Sequence, residues 1–238
     1  MTVDASIAAN LQSIRSRIDA AAGRAGRDPS DVQLIAVSKT FSADHVRAAW
    51  AAGQRDFGEN KVQEALQKIA GTADMEIRWH LIGHLQSNKA KKAAAPFACI
   101  HSVDSTDLLQ KLDAAAREQG ASPEVLVQID LAGEATKFGA GADEGRRILD
   151  AALAARAVRV TGLMVIPPWN EDQEQTRPWF VRLREVREAW LADGVSPDAL
   201  RHLSMGMSHD FEAAVEEGAT MVRVGTAIFG KRMRSEGA

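Results

Sequence analysis

Two short segments near opposite ends of the sequence carry groups that could act together. The apolar run Val32-Gln33-Leu34-Ile35-Ala36-Val37 leads into Ser38-Lys39-Thr40, and the run Met221-Val222-Arg223-Val224 leads into Gly225-Thr226-Ala227-Ile228-Phe229-Gly230. A lysine where a first strand ends, opposite a Gly-Thr turn where a last one ends, is an amine facing a phosphate site. Gly225 lets the backbone approach oxygens closely, so its amide and that of Thr226 can point at phosphate. The hydroxyls of Ser204 and Thr226 can add donors. The chemistry implied is capture of a carbonyl beside a bound phosphate, which fits a pyridoxal phosphate (PLP) pocket on a barrel. Singly, each feature has a plainer reading: Lys39 as a surface lysine lying along apolar surface, Gly225-Thr226 as an ordinary tight turn.

Arg223 lies inside the last run. In an alternating strand it points opposite to Val222 and Val224, and a charged side chain inside a barrel needs a partner. An ion pair, for example with Glu59, is one reading; a guanidinium facing the cofactor's ring nitrogen is the other. His80 and His84 have the spacing of a metal pair, but that spacing aligns ligands only on a helix. Trp79-His80-Leu81-Ile82-Gly83-His84 reads as strand and then turn, so no metal is expected. Lys89-Ala90-Lys91-Lys92 reads as a solvated helix face. Lys137, in Glu134-Ala135-Thr136-Lys137-Phe138-Gly139, falls in a strand-end loop and reads as exposed, though it too could meet an aldehyde.

The elements that must position these groups alternate. Ile7, Leu11, Ile14 and Ile18 recur at helical spacing, which predicts an N-terminal helix over about 4–24 ended by Gly23 and Gly26. β-rich runs follow at 32–37, 54–57, 76–82, 99–103, 124–130, 158–165, 200–204 and 221–224. Helical stretches lie between them, at about 42–52, 60–70, 87–95, 105–119, 142–156, 173–192 and 209–217. Glycines stand where helices should stop, and Ser42, Ser105 and Ser208 where they should start. This pattern predicts an α/β fold: a single (β/α)8 barrel of the TIM type over about 32–230, with an extra N-terminal helix, in one domain spanning 1–238. A doubly wound sheet is the alternative.

Composition narrows the function. A hydrophobic content of 45% suffices for a full core, and 26% charged residues argue against disorder. The net charge of −3 argues against a broad nucleic-acid surface. The single cysteine, Cys99, excludes an internal disulfide and reads as a small core residue. No apolar run approaches a membrane span, so a soluble cytoplasmic protein is expected.

With these residues in view, the sequence resembles the pyridoxal phosphate homeostasis proteins. The resemblance rests on Ala36-Val37-Ser38-Lys39; Phe57-Gly58-Glu59-Asn60-Lys61-Val62-Gln63-Glu64; Trp79 through Lys89; Gly162-Leu163-Met164; Leu203-Ser204-Met205-Gly206-Met207-Ser208; and Arg223 through Gly230. It implies that Lys39 holds PLP as an imine, that Ser204, Gly225 and Thr226 take the phosphate, and that Arg223 takes the ring nitrogen. Asn60, His84 and Met164 would line the ring. Ile166-Pro167-Pro168-Trp169 departs from the family pattern and leaves that part of the rim undefined. The family fold resembles the barrel domain of alanine racemase and related decarboxylases without their second domain.

A PLP carrier or buffer, acting on vitamin B6 supply and indirectly on amino-acid and keto-acid pools, competes with a PLP enzyme such as a racemase. A Schiff-base aldolase using Lys39 without PLP is a third reading. The racemases of the related fold use a tyrosine as second base, and this sequence has no tyrosine. Its length leaves no room for a second domain. Arginine at the ring nitrogen cannot give it a full proton, so the ring is a weak electron sink. These points favour the carrier, with PLP-dependent apoenzymes as possible recipients. A monomer is expected, since nothing announces a large apolar interface.

Overall fold

The computed structural model describes residues 3–133 and 138–230. Lys137 and its neighbours 134–136 lie outside the described residues, so the reading of Lys137 is left there. Eight parallel strands close into a barrel in sequence order, with the last pairing to the first. They are β1 Gln33–Val37, β2 Asp56–Glu59, β3 Arg78–Leu81, β4 Cys99–Val103, β5 Glu124–Gln128, β6 Arg159–Met164, β7 His202–Met207 and β8 Met221–Val224. The helices are α1 Val3–Arg24, α2 Ala43–Ala51, α3 Val62–Gly71, α4 Ala90–Ala93, α5 Thr106–Gln119, α6 Ala142–Leu153, α7 Arg177–Ala192, α8 Phe211–Glu216 and α9 Thr226–Phe229. The expected TIM-type barrel with an extra N-terminal helix is therefore present. In α1, Ile7, Leu11, Ile14 and Ile18 are all buried, so this helix is held by its apolar stripe rather than by propensity.

Local signals explain most boundaries. Ser105 caps α5 by accepting from the Leu108 amide at 3.3 Å, and Gly120 ends it at φ 64°. The stretch expected to be helical at 87–95 is a 3₁₀ turn, Ser87–Lys89, followed by the short α4; Pro96 limits any continuation. Two strands are displaced from their expected positions. β2 begins two residues later than predicted, because Gln54 uses its side chain to reach the carbonyls of Leu34 and Asp56 at 2.7 and 2.8 Å. β7 runs on to Met207, since Pro197–Leu200 forms a 3₁₀ turn ahead of it.

The strands sort their side chains by alternation. Leu34, Ala36, Phe57, Leu81, Leu203 and Val222 pack outward with the helices in one large apolar core. Ile35, Cys99, Leu126, Met164 and Met221 form a separate cluster in the lumen. Asp56, His80, His101, Ser204 and Arg223 share that interior and are all buried, which demands that every polar atom be satisfied there. No helix among the described residues is long and apolar enough to cross a membrane.

Candidate functional site

A cavity of about 500 Å³ opens at the C-terminal ends of the strands, within the usual size of small-ligand sites. Lys39 follows β1 and Asn60 follows β2; His84 follows β3. Arg223 projects from β8, and Gly225 and Thr226 follow it. All six line this one cavity, with Val37, Ile82, Phe138, Ile166, Trp169, Ser208 and His209 among their neighbours. Among the described lining residues there is a lysine, an arginine and hydroxyls but no carboxylate. That donor set suits an anionic ligand bearing a group that an amine can attack.

Two residues expected at this site lie elsewhere. Ser204 is completely buried in the lumen, with its hydroxyl taken by Arg223 at 2.6 Å and by His101 at 2.8 Å. It is not among the described residues that line the cavity where the phosphate position was expected. Met164 is also fully buried, packed with Ile35, Cys99, Leu126 and Met221 beneath the cavity. It belongs to the lumen core and is not among the described residues lining the cavity. Both lie one layer too deep.

The hydroxyl that does face the cavity is Ser208. The sequence placed it as a helix cap, but α8 begins later, behind Asp210. Ser208 Oγ instead accepts from the amides of Gly225 and Ala227, at 3.0 and 3.5 Å. It thereby ties the loop after β7 to the turn after β8. A bulge in β7, where Gly206 has φ 89°, brings Ser208 to the rim. A Cβ on Gly206 would stand 2.6 Å from that of Ala214, so glycine is required there sterically as well.

The turn carrying Lys39 is held by residues that the sequence reading did not assign. Lys68, buried on α3, donates to the Ser38 carbonyl at 2.7 Å, to Glu59 Oε1 at 2.6 Å and to Glu64 Oε1 at 2.9 Å. Ser38 Oγ donates to the same Glu59 oxygen at 2.6 Å. The Thr40 amide donates to Glu64 at 2.5 Å, which secures Thr40 in the left-handed region at φ 70°. Such a conformation in a β-branched residue persists only where surroundings enforce it. Glu59 is thus the partner of Lys68, and the ion pair with Arg223, one of the two readings of that arginine, is not formed. Adjacent Gly58 faces the lumen side chains of Ile35 and Ile82, while Glu59 turns outward to α3. Burial pushes the Glu59 carboxyl above its ordinary range, against the pull of Lys68 and Ser38. The available signal was a lysine on the apolar stripe of α3, in line with Val62 and Ala65.

The remaining lining residues are fixed by contacts at the rim. His84 Nδ1 lies 3.2 Å from Asp104, and its ring stacks on Phe138 at 3.6 Å. A Cβ on Gly83 would fall 2.3 Å from the Asn60 carbonyl. Glycine there lets the loops after β2 and β3 touch, and so sets Asn60 beside His84. Trp169, in the atypical Pro-Pro-Trp segment, stands exposed at the mouth near His209, with ring centroids 6.4 Å apart.

His80, Cys99 and His101 place candidate ligand atoms within 4.8 Å of one another in the lumen. The imidazoles are already bonded to each other at 3.0 Å, and their outer nitrogens to Asp56 and Ser204. Both imidazoles are therefore engaged at each ring nitrogen. Burial above all, with the Arg223 guanidinium nearby, holds the His101 pKa well below 6.5. The unfolded chain therefore takes up a proton below pH 6.5 that the folded protein refuses. Stability from this group is complete above that pH and is lost as pH falls, by up to about 1.4 kcal/mol per pH unit. Urea titrations between pH 7 and 5 should show this slope, and His101→Gln should flatten it by about that amount. An equal slope in the variant refutes the assignment.

The alanine racemase N-terminal domain model matches residues 9–233. A pyridoxal phosphate homeostasis protein of Pseudomonas aeruginosa is 45% identical over 227 residues, covering 95% of this chain and 96% of the relative. One from Aquifex aeolicus is 40% identical over 222 residues, covering 93% and 96%. Among solved structures, PipY of Synechococcus elongatus with PLP bound superposes with a TM-score of 0.83 at 44% identity, covering 94% of this chain and all of PipY. D-threonine aldolase of Filomicrobium marinum shares the fold at a TM-score of 0.74 but only 18% identity, and the match covers 60% of it.

Proposed function

The chain belongs to the alanine racemase N-terminal domain family, and from that premise we propose that it binds pyridoxal 5′-phosphate and acts in intracellular PLP homeostasis as a carrier rather than as an amino-acid racemase or decarboxylase. The observation that carries this reading is the cavity that joins Lys39, Arg223, Ser208 and the Gly225-Thr226 turn with no carboxylate among its described lining residues. Its relatives named as homeostasis proteins match over nearly their whole length, and PipY has been solved with PLP.

PLP, when bound, supplies an aldehyde that an amine captures reversibly and a ring that can withdraw electrons. On this reading Lys39 supplies the amine, on a turn locked by the Glu59–Lys68–Glu64 cluster. Ser208, Gly225 and Thr226 hold the phosphate, and Asn60 and His84 flank the ring. Arg223 faces the ring nitrogen. Burial lowers its pKa to about 10, so it remains a guanidinium at neutral pH and cannot hand over a full proton. The ring is then a poor sink for a carbanion. The sequence also has no tyrosine to act as a second base.

PLP-loaded protein given a panel of common amino acids should turn over none faster than about 1 s⁻¹, a rate ordinary enzymes exceed. A faster racemisation or decarboxylation overturns the carrier reading. Ser208→Ala removes one donor to a dianion, worth roughly 1.5–3 kcal/mol. Equilibrium titration should show PLP binding weakened by about ten- to a hundredfold, and unchanged affinity removes Ser208 from the phosphate site. The protein acts as a monomer that yields PLP to apoenzymes; a stable dimer in light scattering at micromolar concentration contradicts the first part.

A further inference from the structure

Beneath the cavity, a row of buried polar side chains crosses the barrel lumen. Arg223 Nη1 lies 2.6 Å from Ser204 Oγ, and Ser204 Oγ lies 2.8 Å from His101 Nδ1. His101 Nε2 is 3.0 Å from His80 Nδ1, and His80 Nε2 is 3.0 Å from Asp56 Oδ1. Every member is at most 8% exposed. The row starts at the floor of the proposed PLP cavity. It ends at Asp56, which faces a separate cavity at the opposite end of the barrel with Gln33 and Arg78.

Each hydrogen in this row follows from its neighbour. Arginine can only donate, so Ser204 Oγ accepts from it. The serine hydrogen has His101 Nδ1 as its remaining partner, so that nitrogen is bare. His101 then carries its proton on Nε2 and gives it to His80 Nδ1. That leaves the His80 proton on Nε2, aimed at a carboxylate that can only accept. The reversed order would make His80 an imidazolium and leave the buried Ser204 hydrogen with no acceptor. It would also add a cation to a carboxylate that Arg78 already engages at 2.7 and 2.9 Å. A buried donor without an acceptor forfeits its bond to water and gains none in return.

We propose that Ser204, His101, His80 and Asp56 form a one-directional hydrogen-bond relay, running from Arg223 to Asp56 through two neutral Nε2–H imidazoles, that positions the Arg223 guanidinium at the cavity floor from the far end of the barrel. Aligned donors polarise one another, so such a row is stiffer than separate pairs. Ser204, His101 and His80 are positioning residues acting through Arg223. The consequence for the ring nitrogen rests on the PLP reading above. The relay itself is a property of the ligand-free protein.

The test is side-chain nitrogen NMR on ligand-free protein labelled at histidine, with PLP affinity measured separately. Both His80 and His101 are expected as single neutral tautomers with Nδ1 bare at neutral pH. Asp56→Asn puts an amide, able to donate or accept, at the far end. The Arg223–Ser204 end still sets the order, so His101, which Asp56 does not touch, should keep Nδ1 bare in this variant. Arg78→Gln keeps the carboxylate and should leave both rings as they are. Ser204→Ala leaves the Asp56 end to set the same order, and only the double variant Asp56→Asn/Ser204→Ala, which frees both ends, should turn His101 into a mixture of tautomers. An Nδ1–H or charged His101 in the parent, or a single pure His101 tautomer in the folded double variant, overturns the proposal; the parent measurement decides alone if the double variant does not fold. Intact tautomers with no PLP binding would instead sink the cofactor reading alone.

Discussion

Lys39→Ala is expected to abolish covalent attachment of PLP. In the parent protein, borohydride reduction should leave a pyridoxyl mass on the peptide containing Lys39, and the variant should carry no such mass. A neutral amine is required for attack, while a free lysine with a pKa near 10.4 is almost wholly charged at neutral pH. The site therefore has to desolvate the amine or place it near other positive charge. Arg223 lines the same cavity and supplies such a charge. Non-covalent binding through Ser208, Gly225 and Thr226 should survive in the variant, with an absorption band of the free aldehyde. A label that persists at full yield on another lysine, or an unmodified Lys39 in the parent, removes Lys39 from its proposed role.

The second large effect is on stability. Lys68→Met should destabilise the protein by about 3–5 kcal/mol, the usual cost of leaving one partner of a buried pair behind. Glu59 has no exposure, and its Oε2 already lacks a hydrogen-bond partner, so it cannot replace Lys68 with water. Its folded pKa is already raised by burial, and loss of Lys68 raises it further. The sign follows: the variant is least stable above the folded pKa and regains stability as pH falls through it and the carboxyl takes up a proton. Glu59→Gln in the Lys68→Met background removes the stranded charge and should recover part of the loss. Denaturant midpoints of the parent, the two single variants Lys68→Met and Glu59→Gln, and the double variant across pH 5–8 measure this directly. A single variant within about 0.5 kcal/mol of the parent would show that the cluster contributes little. The same cluster holds the Ser38 carbonyl and the Thr40 amide, so PLP attachment should also slow in any folded Lys68 variant.

Much of this protein is local in sequence. The alternation of β-rich runs with capped helical stretches identified the barrel, because burial of strands and amphipathic helices repeats along the chain. Lys39, Asn60, His84, Arg223, Gly225 and Thr226 were legible for a related reason: each stands at or beside a strand end, and a parallel barrel brings all such ends to one face. Depth within the barrel was not legible. Ser204 and Met164 lie on the correct strands but a layer below the cavity, because the bulge at Gly206 and the stagger between strands decide which residue of a strand reaches the rim. Partnership was not legible either. Glu59 belongs to Lys68 because β2 turns it outward against α3. Arg223 belongs to Ser204, and through His101 and His80 to Asp56, because closing the barrel brings side chains as much as 103 residues apart to hydrogen-bonding distance in its buried lumen. In that lumen a polar atom must bond to whatever the opposite strands present, and only the closed tertiary structure determines which atoms those are.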